Sequence, residues 1–379
     1  MPTASQFDPA NARLERELKH PRPLTACRFD PSGRFLFAAG EDSVVRRFDL
    51  LTGDEAAFAG HRSWVRGIAF LPHGDPDPAG VAAFEAARLG LAVAAGPAAA
   101  TLRPPAAQPF TVVSGDYHGK LVWWRGDAAA PGPLREVAAH DGWVRAVAAS
   151  PDGKLVASCG NDHLVKLWSA ADGEPVRTLE GHDCHVYNVA FHPSGARLAS
   201  ADLKGVVKDW DLATGKPVRD LDAKALHKYD TGFRADIGGA RGMAFDRSGG
   251  RLACAGITNV SNAFAGVGNP LVVAFDWASG KARHLRPKEA FQGTGWGVAF
   301  HPAGSVVAAG GGNGGRVWFW TGDDASSHAV TTPVSVRDLA LAPLGDRLAV
   351  AGVNGVAYVY TLRPGGPPAA KGNPPPKKK

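Results

Sequence analysis

Arginine and aromatic side chains recur at one spacing in this chain. Thr25, Arg66, Arg145, Tyr187, Arg241, Trp296 and Arg337 each stand four residues before an apolar anchor, at Phe29, Phe70, Ala149, Phe191, Phe245, Phe300 and Leu341. Two residues further upstream, Trp64 and Trp143 accompany Arg66 and Arg145. A planar guanidinium forks onto a carboxylate and an indole buries a large area, so this set suits recognition of an acidic or aromatic-bearing protein segment. The plainer account is a strand consensus in which each arginine stem is packed and its head solvated. The Trp-Val-Arg triplet at 64–66 and again at 143–145 makes the set as a whole a stronger candidate than any one of its members.

Other residue patterns offer little chemistry. Gly310 to Gly315 (GGGNGG) matches G-x-G-x-x-G but joins two apolar runs of strand type and opens no helix, so the phosphate-cradling logic is missing. His182, Cys184 and His185 are close in sequence, yet no second pair completes a tetrahedral metal set. There is no C-x-x-C-H, no H-E-x-x-H and no G-x-S-x-G turn. The expectation is a protein without catalytic residues, metal or cofactor.

The elements that must position the arginines follow from the anchors. Each anchor opens a polar turn (FDPSG, FLPHG, ASPDG, FHPSG, FDRSG, FHPAG, LAPLG), and successive anchors lie 41, 79, 42, 54, 55 and 41 residues apart. A period of about forty with short strands between tight turns marks an all-β propeller of four-stranded blades. Residues 140–182 show one unit: strand a WVRAVAA, strand b KLVASCG, strand c LVKLW and strand d PVRTLE. Equivalent positions on strand a form a ring, which places the arginines around one mouth of a central channel.

This unit resembles the WD-repeat family, whose marks are a Gly-His before strand a and a Trp-Asp closing strand c. Gly60-His61, Gly181-His182 and Trp210-Asp211 carry them, with Phe48-Asp49 and Phe275-Asp276 as weaker forms, and the resemblance covers residues 14–362. It implies a seven-bladed β-propeller whose channel rim binds peptide segments of partner proteins. It also implies a structural tetrad of His, Ser or Thr, Asp and Trp in each blade, complete in blade 3 as His140, Ser158, Asp162 and Trp168. At the aspartate position blade 2 has His118 and blade 4 has Lys204, while blade 1 lacks the hydroxyl and indole at Ala38 and Phe48. Blades 5 to 7 carry Asp236, Phe291 and Thr332 nine residues before the anchor, where the others have histidine. Networks of this kind help only when every member is satisfied, so their order is expected to decay away from blade 3.

The last repeat ends at strand c, VAYVYTL (356–362), and Arg16-Glu17-Leu18 resembles the strand-d segments Arg177-Thr178-Leu179 and Arg219-Asp220-Leu221. The N-terminal strand is therefore expected to complete the last blade and close the ring, which removes free sheet edges. The expected organisation is an arm over 1–13, a propeller over 14–363 and a disordered Pro/Lys tail over 364–379 that serves as an inert solubilising end. Insertions fall at 73–109, 222–239 and 257–270. The first contains FEAARLGLAVAA, interrupted by Glu85 and Arg88 and too short to span a membrane. The other two emerge on one face, as d–a and b–c connections.

Net charge is +6, of which Arg363, Lys371, Lys377, Lys378 and Lys379 supply five, so the propeller is nearly neutral and lacks the clustered basic face that nucleic acid requires. Four cysteines in different repeats, without paired spacing, and an N-terminus without an apolar h-region point to a reducing, cytoplasmic setting. The expected function is a monomeric, non-catalytic scaffold for protein or peptide partners, acidic ones in particular, with no nucleic acid and no membrane. The alternative is a propeller enzyme, lactonase-like or another hydrolase, which needs carboxylates or histidines around a channel metal.

Overall fold

A computed structural model of the chain describes residues 8–71, 109–262, 267–322, 325–326 and 328–363. Seven four-stranded antiparallel sheets make up the body, six of them simple meanders and the seventh completed by the N-terminal strand. Blade 1 runs Leu24–Phe29, Phe35–Gly40, Val44–Asp49 and Glu55–Ala59. Blade 3 runs Val144–Ala149, Leu155–Gly160, Val165–Ser169 and Pro175–Leu179. First strands neighbour one another from blade to blade and return from blade 7 to blade 1, so strand a is innermost and the seven sheets form a closed ring. Among the described residues only two 3-10 turns, Pro9–Asn11 and Lys224–Leu226, interrupt the all-β character.

Burial explains the strand sequences. Strand b lies between neighbouring sheets on both faces, and Phe35–Gly40 and Arg347–Gly352 are buried at every residue. Such strands read as continuous apolar runs, with alanine and glycine where sheets approach closely. Strand d is outermost and half-exposed, as in Pro133–Ala138 and Pro175–Leu179. The apolar side chains gather into seven clusters, each shared by two consecutive blades, so the core sits between blades rather than within them.

Ring closure takes the expected route. Arg13–Lys19 pairs antiparallel with Val356–Thr361 and supplies the outer strand of blade 7. On the inner side of the same junction, Asp338 of blade 7 accepts the backbone N–H of Cys27 at 3.0 Å and the guanidinium of Arg28, both in blade 1.

Two insertions are described in whole or in part. Residues 222–239 form a hairpin, His227–Asp230 with Ala235–Gly238, and 257–270 lengthens the b and c strands of blade 5 to Arg251–Asn262 and Val267–Asp276. Lys228 Nζ donates to the Val260 carbonyl at 2.6 Å, so the two touch. Insertion 73–109, apart from Pro109, and the tail 364–379 lie outside the described residues.

The tetrads differ from the sequence reading. In blade 3, Trp168 Nε1 donates to Ser158 Oγ at 2.9 Å, Ser158 Oγ meets His140 Nε2 at 2.7 Å, and His140 Nδ1 meets Asp162 at 2.8 Å. Blades 2 and 4 close the same network with a different aspartate. His61 Nδ1 meets Asp116 at 2.9 Å and His182 Nδ1 meets Asp202 at 2.8 Å, each with its serine and tryptophan in place. His118 and Lys204 are not members; their backbone N–H groups donate to Asp116 and Asp202. The carboxylate comes from the end of strand b, two residues after the serine, and caps the b–c turn as well as holding the histidine. Blade 1 stays open: His20 lies 3.5 Å from Asp42, with no hydroxyl at Ala38 and no indole at Phe48.

Candidate functional site

Register skips position the channel-mouth side chains. Pairing of strand a with strand b jumps between Leu24 and Ala26, Val65 and Gly67, Val144 and Ala146, Val186 and Asn188, Gly295 and Gly297, and Val336 and Leu339. The residue passed over is Thr25, Arg66, Arg145, Tyr187 or Trp296, and Arg337 together with Asp338 in blade 7. A β-bulge releases one residue from the ladder and re-aims its side chain, which is how each blade turns its rim residue towards the channel. In blade 5, Arg241 precedes the strand and its N–H donates to the Ala255 carbonyl at 2.7 Å.

The released side chains join into a cation–π chain. The Arg145 guanidinium lies 4.3 Å from the Trp143 ring and 4.5 Å from Tyr187; Arg241 lies 4.5 Å from Tyr187 and 5.3 Å from Trp296; Arg66 lies 5.4 Å from Trp296. Tyr117, on the b–c turn of blade 2, stacks on Trp143 at 4.0 Å with 4° between planes, and Trp64 is 6.0 Å from Tyr117. Trp64 and Trp143 remain 41% and 39% exposed, unusual for indoles with aromatic neighbours and consistent with a surface left open for contact.

Two rim positions do not join this chain. Thr25 is buried, and its hydroxyl donates to the Ala39 carbonyl at 3.1 Å and to that of Val65. Arg337 donates to Glu41 at 2.7 Å, which neutralises it. Arg66 also differs from the sequence expectation of a free fork. Its guanidinium donates to the Thr25 carbonyl at 2.8 Å and makes longer contacts with those of Arg337 and Arg241, at 3.5 and 3.4 Å. It thereby reaches blades 1, 7 and 5 from blade 2 and bars the mouth. Below it the channel is a cavity of 1640 Å³ lined by small residues such as Gly67, Ala146, Ala190, Ala244 and Ala299.

Charge at the mouth is uneven. Arg28 and Arg337 face Asp338 and Glu41, whereas Arg66, Arg145 and Arg241 have no carboxylate partner among the described residues. Burial pushes the guanidinium pKa of Arg66 and of Arg145 down, and the charge of Arg241 lowers both further, although an arginine stays protonated at neutral pH. Arg145 Nε donates to Asn161 Oδ1 at 2.7 Å, which fixes the plane of its fork.

Tyr117, Asn161 and Glu41 were missed by the sequence reading. All three fall three residues after the tetrad serine position, at the b–c turn, so a second repeat column could have revealed them.

Of the residues with metal-like spacing, His182 belongs to a tetrad, His185 Nδ1 faces the Asn161 carbonyl at 2.8 Å, and Cys184 is buried with its thiol pushed up to about 11. Among the described residues no group of three His, Cys, Asp or Glu side chains could hold a metal ion. GGGNGG joins strands Val306–Gly312 and Gly314–Trp320 as a hairpin turn. No helix among the described residues is long and apolar enough to cross a membrane.

Seven four-stranded sheets around a channel define a seven-bladed β-propeller. Tetrads in blades 2, 3 and 4 narrow the class, and the family model for the WD domain, G-beta repeat, matches residues 13–49, 132–169 and 173–211. In these three stretches the propeller is built of WD repeats. Each matched stretch begins in the outer strand of one blade and ends in strand c of the next, the same offset that makes the N-terminal strand complete blade 7. Over 142 residues, 36% of the chain, it is 27% identical to the nuclear distribution protein PAC1 of Coccidioides posadasii (strain C735). Over 144 residues, 37% of the chain, it is 27% identical to the nuclear distribution protein PAC1-2 of Uncinocarpus reesii (strain UAMH 1704). The chain spans about a quarter of the length of these relatives, 26% and 28%.

Proposed function

We propose that this propeller is a non-catalytic scaffold whose channel mouth receives a segment of a protein partner, acidic in character, with the loops at 222–239 and 257–270 as neighbouring contacts. The observation that carries the proposal is the continuous run Trp143, Arg145, Tyr187, Arg241, Trp296, Arg66, flanked by the exposed Trp64. Arginine and tryptophan are the residue types that dominate binding energy, and charge left unpaired at a rim calls for an opposite charge in the partner. The hairpin is continuous with this surface: a side chain at Gly239 would run into the Tyr187 ring, and Asn188 donates to the Ala240 carbonyl at 2.6 Å. We further propose that the protein works as a monomer in the cytoplasm; its four cysteines are free and buried, as suits a reducing compartment.

The test is affinity capture with the full chain as bait, comparing wild type with Arg145→Glu/Arg241→Glu and with Lys154→Glu on an a–b turn, at the other end of strand a. The rim double variant should lose the principal partner and the control should keep it, with melting temperatures near wild type throughout. Wild-type capture by the rim variant would move the site away from the mouth.

A further inference from the structure

We infer that Arg145 and Arg241, which share the ring of Tyr187, form an oxyanion fork that holds a carboxylate or phosphoryl group of the bound segment. The inference rests on the proposed role of the mouth and specifies what chemistry it selects. Both guanidiniums lie 4.5 Å from the Tyr187 ring centre, hence no more than twice that distance from each other. Asn161 occupies only Nε of Arg145, and the Arg241 side chain has no hydrogen-bond partner among the described residues, its Nε being buried as well. Terminal N–H groups of both forks are therefore available to a ligand. Arg66 adds charge but not donors, because its fork is committed to backbone carbonyls.

The neutralised arginines supply the contrast. Arg337 and Arg28 sit in the same ring wall and each has a carboxylate of its own. Keeping Arg66, Arg145 and Arg241 together without one costs desolvation and mutual repulsion, as the lowered pKa values of Arg66 and Arg145 reflect. A bound oxyanion removes that repulsion and accepts charge-assisted, bidentate hydrogen bonds, the strong kind. The Tyr117–Trp143 stack lies beside Arg145, so a planar or apolar group next to the anion has a surface to cover.

The probes are phenyl phosphate, phenylacetate and inorganic phosphate, titrated at constant ionic strength into the full chain. Indole N–H signals of Trp143 and Trp296 and the Nε–H signals of Arg145 and Arg241 are followed by nuclear magnetic resonance. Phenyl phosphate should shift them saturably, and Arg145→Gln/Arg241→Gln should weaken binding about tenfold or more, the loss of at least one charge-assisted bond. Asn161→Ala, which frees the Arg145 fork without removing charge, should weaken it less and covers the case in which the double variant fails to fold. Phenyl phosphate well ahead of phenylacetate would support the fork with a phosphoryl group as its ligand; equal affinities would support it with a carboxylate.

No saturable shift with any probe, or equal binding by the double variant, overturns the inference. Partner capture by this glutamine variant separates the fork from the broader proposal. Capture lost in the variant while the wild type binds none of the probes would overturn the fork and leave the mouth as partner site, whereas probe binding lost in the variant with capture intact would do the reverse.

Discussion

At the residue scale, the tetrad shows how one carboxylate can serve two structures. Burial raises the pKa of Asp116, Asp162 and Asp202, but the hydrogen bond from the paired histidine and those from turn N–H groups outweigh it, and all three are held below the usual carboxylate value. Removing such an acceptor strands the histidine and the turn donors, at a cost of about 1–3 kcal/mol. Asp116→Ala and Asp202→Ala should therefore destabilise the protein as much as Asp162→Ala does, while Lys204→Ala, which gives up only an exposed ammonium, should change denaturant midpoints little. Equivalence of Lys204→Ala and Asp202→Ala in chemical denaturation would disprove the network as drawn. The histidine, serine and tryptophan of this network were legible in the sequence through its resemblance to the WD repeat. The aspartates of blades 2 and 4 were not, because the histidine can be met from either of two positions, and blade 3, whose strand b ends at Gly160, meets it from the later one at Asp162.

At the scale of elements, the outer strands are tied to the next blade by arginine. Arg135 donates to the Ala171 carbonyl at 3.2 Å, Arg177 to those of Leu212 and Ala213 at 3.2 Å, Arg219 to that of Ala278 at 3.0 Å, and Arg283 to that of Gly322 at 2.6 Å. Each reaches from strand d of one blade to the c–d turn of the following one, where carbonyls project beyond the sheet. A net hydrogen bond to a charged group contributes roughly 1.5–3 kcal/mol when buried, and less at these half-exposed sites. Arg177→Ala/Arg219→Ala should lower the melting temperature by several degrees, and hydrogen exchange should speed up in the c–d turns at 212–215 and 276–280 rather than across whole sheets. Uniform acceleration would mean that the clasps do not act locally. The Pro-Val-Arg start of strand d was visible in the sequence; its target was not, since the acceptor is a backbone carbonyl 35–59 residues away, and backbone carbonyls carry no sequence mark.

The whole molecule is held by its junction. Blade 7 has no outer strand until Arg13–Lys19 returns to it, and the inner latch of Asp338 with Cys27 and Arg28 spans the same seam. Deleting residues 1–20 should expose the edge of Val356–Thr361 and cause aggregation or a large drop in melting temperature. Asp338→Ala, which leaves the outer strand in place, should weaken the seam without aggregation. Unchanged stability of the deletion variant would refute closure by this strand.

The sequence alone determined the number of blades, the strand order within a blade, the place where the ring closes and the ring of rim positions. These depend on contacts near in sequence, or on a repeat that carries one blade's geometry to the next. Tertiary structure alone decided which rim residues act together. Arg66 meets carbonyls 41, 175 and 271 residues away, Arg337 is neutralised from 296 residues away, and Tyr117 enters the site from a turn. Those meetings arise because seven wedge-like sheets converge on one axis, bringing together side chains whose separation along the chain holds no periodic signal.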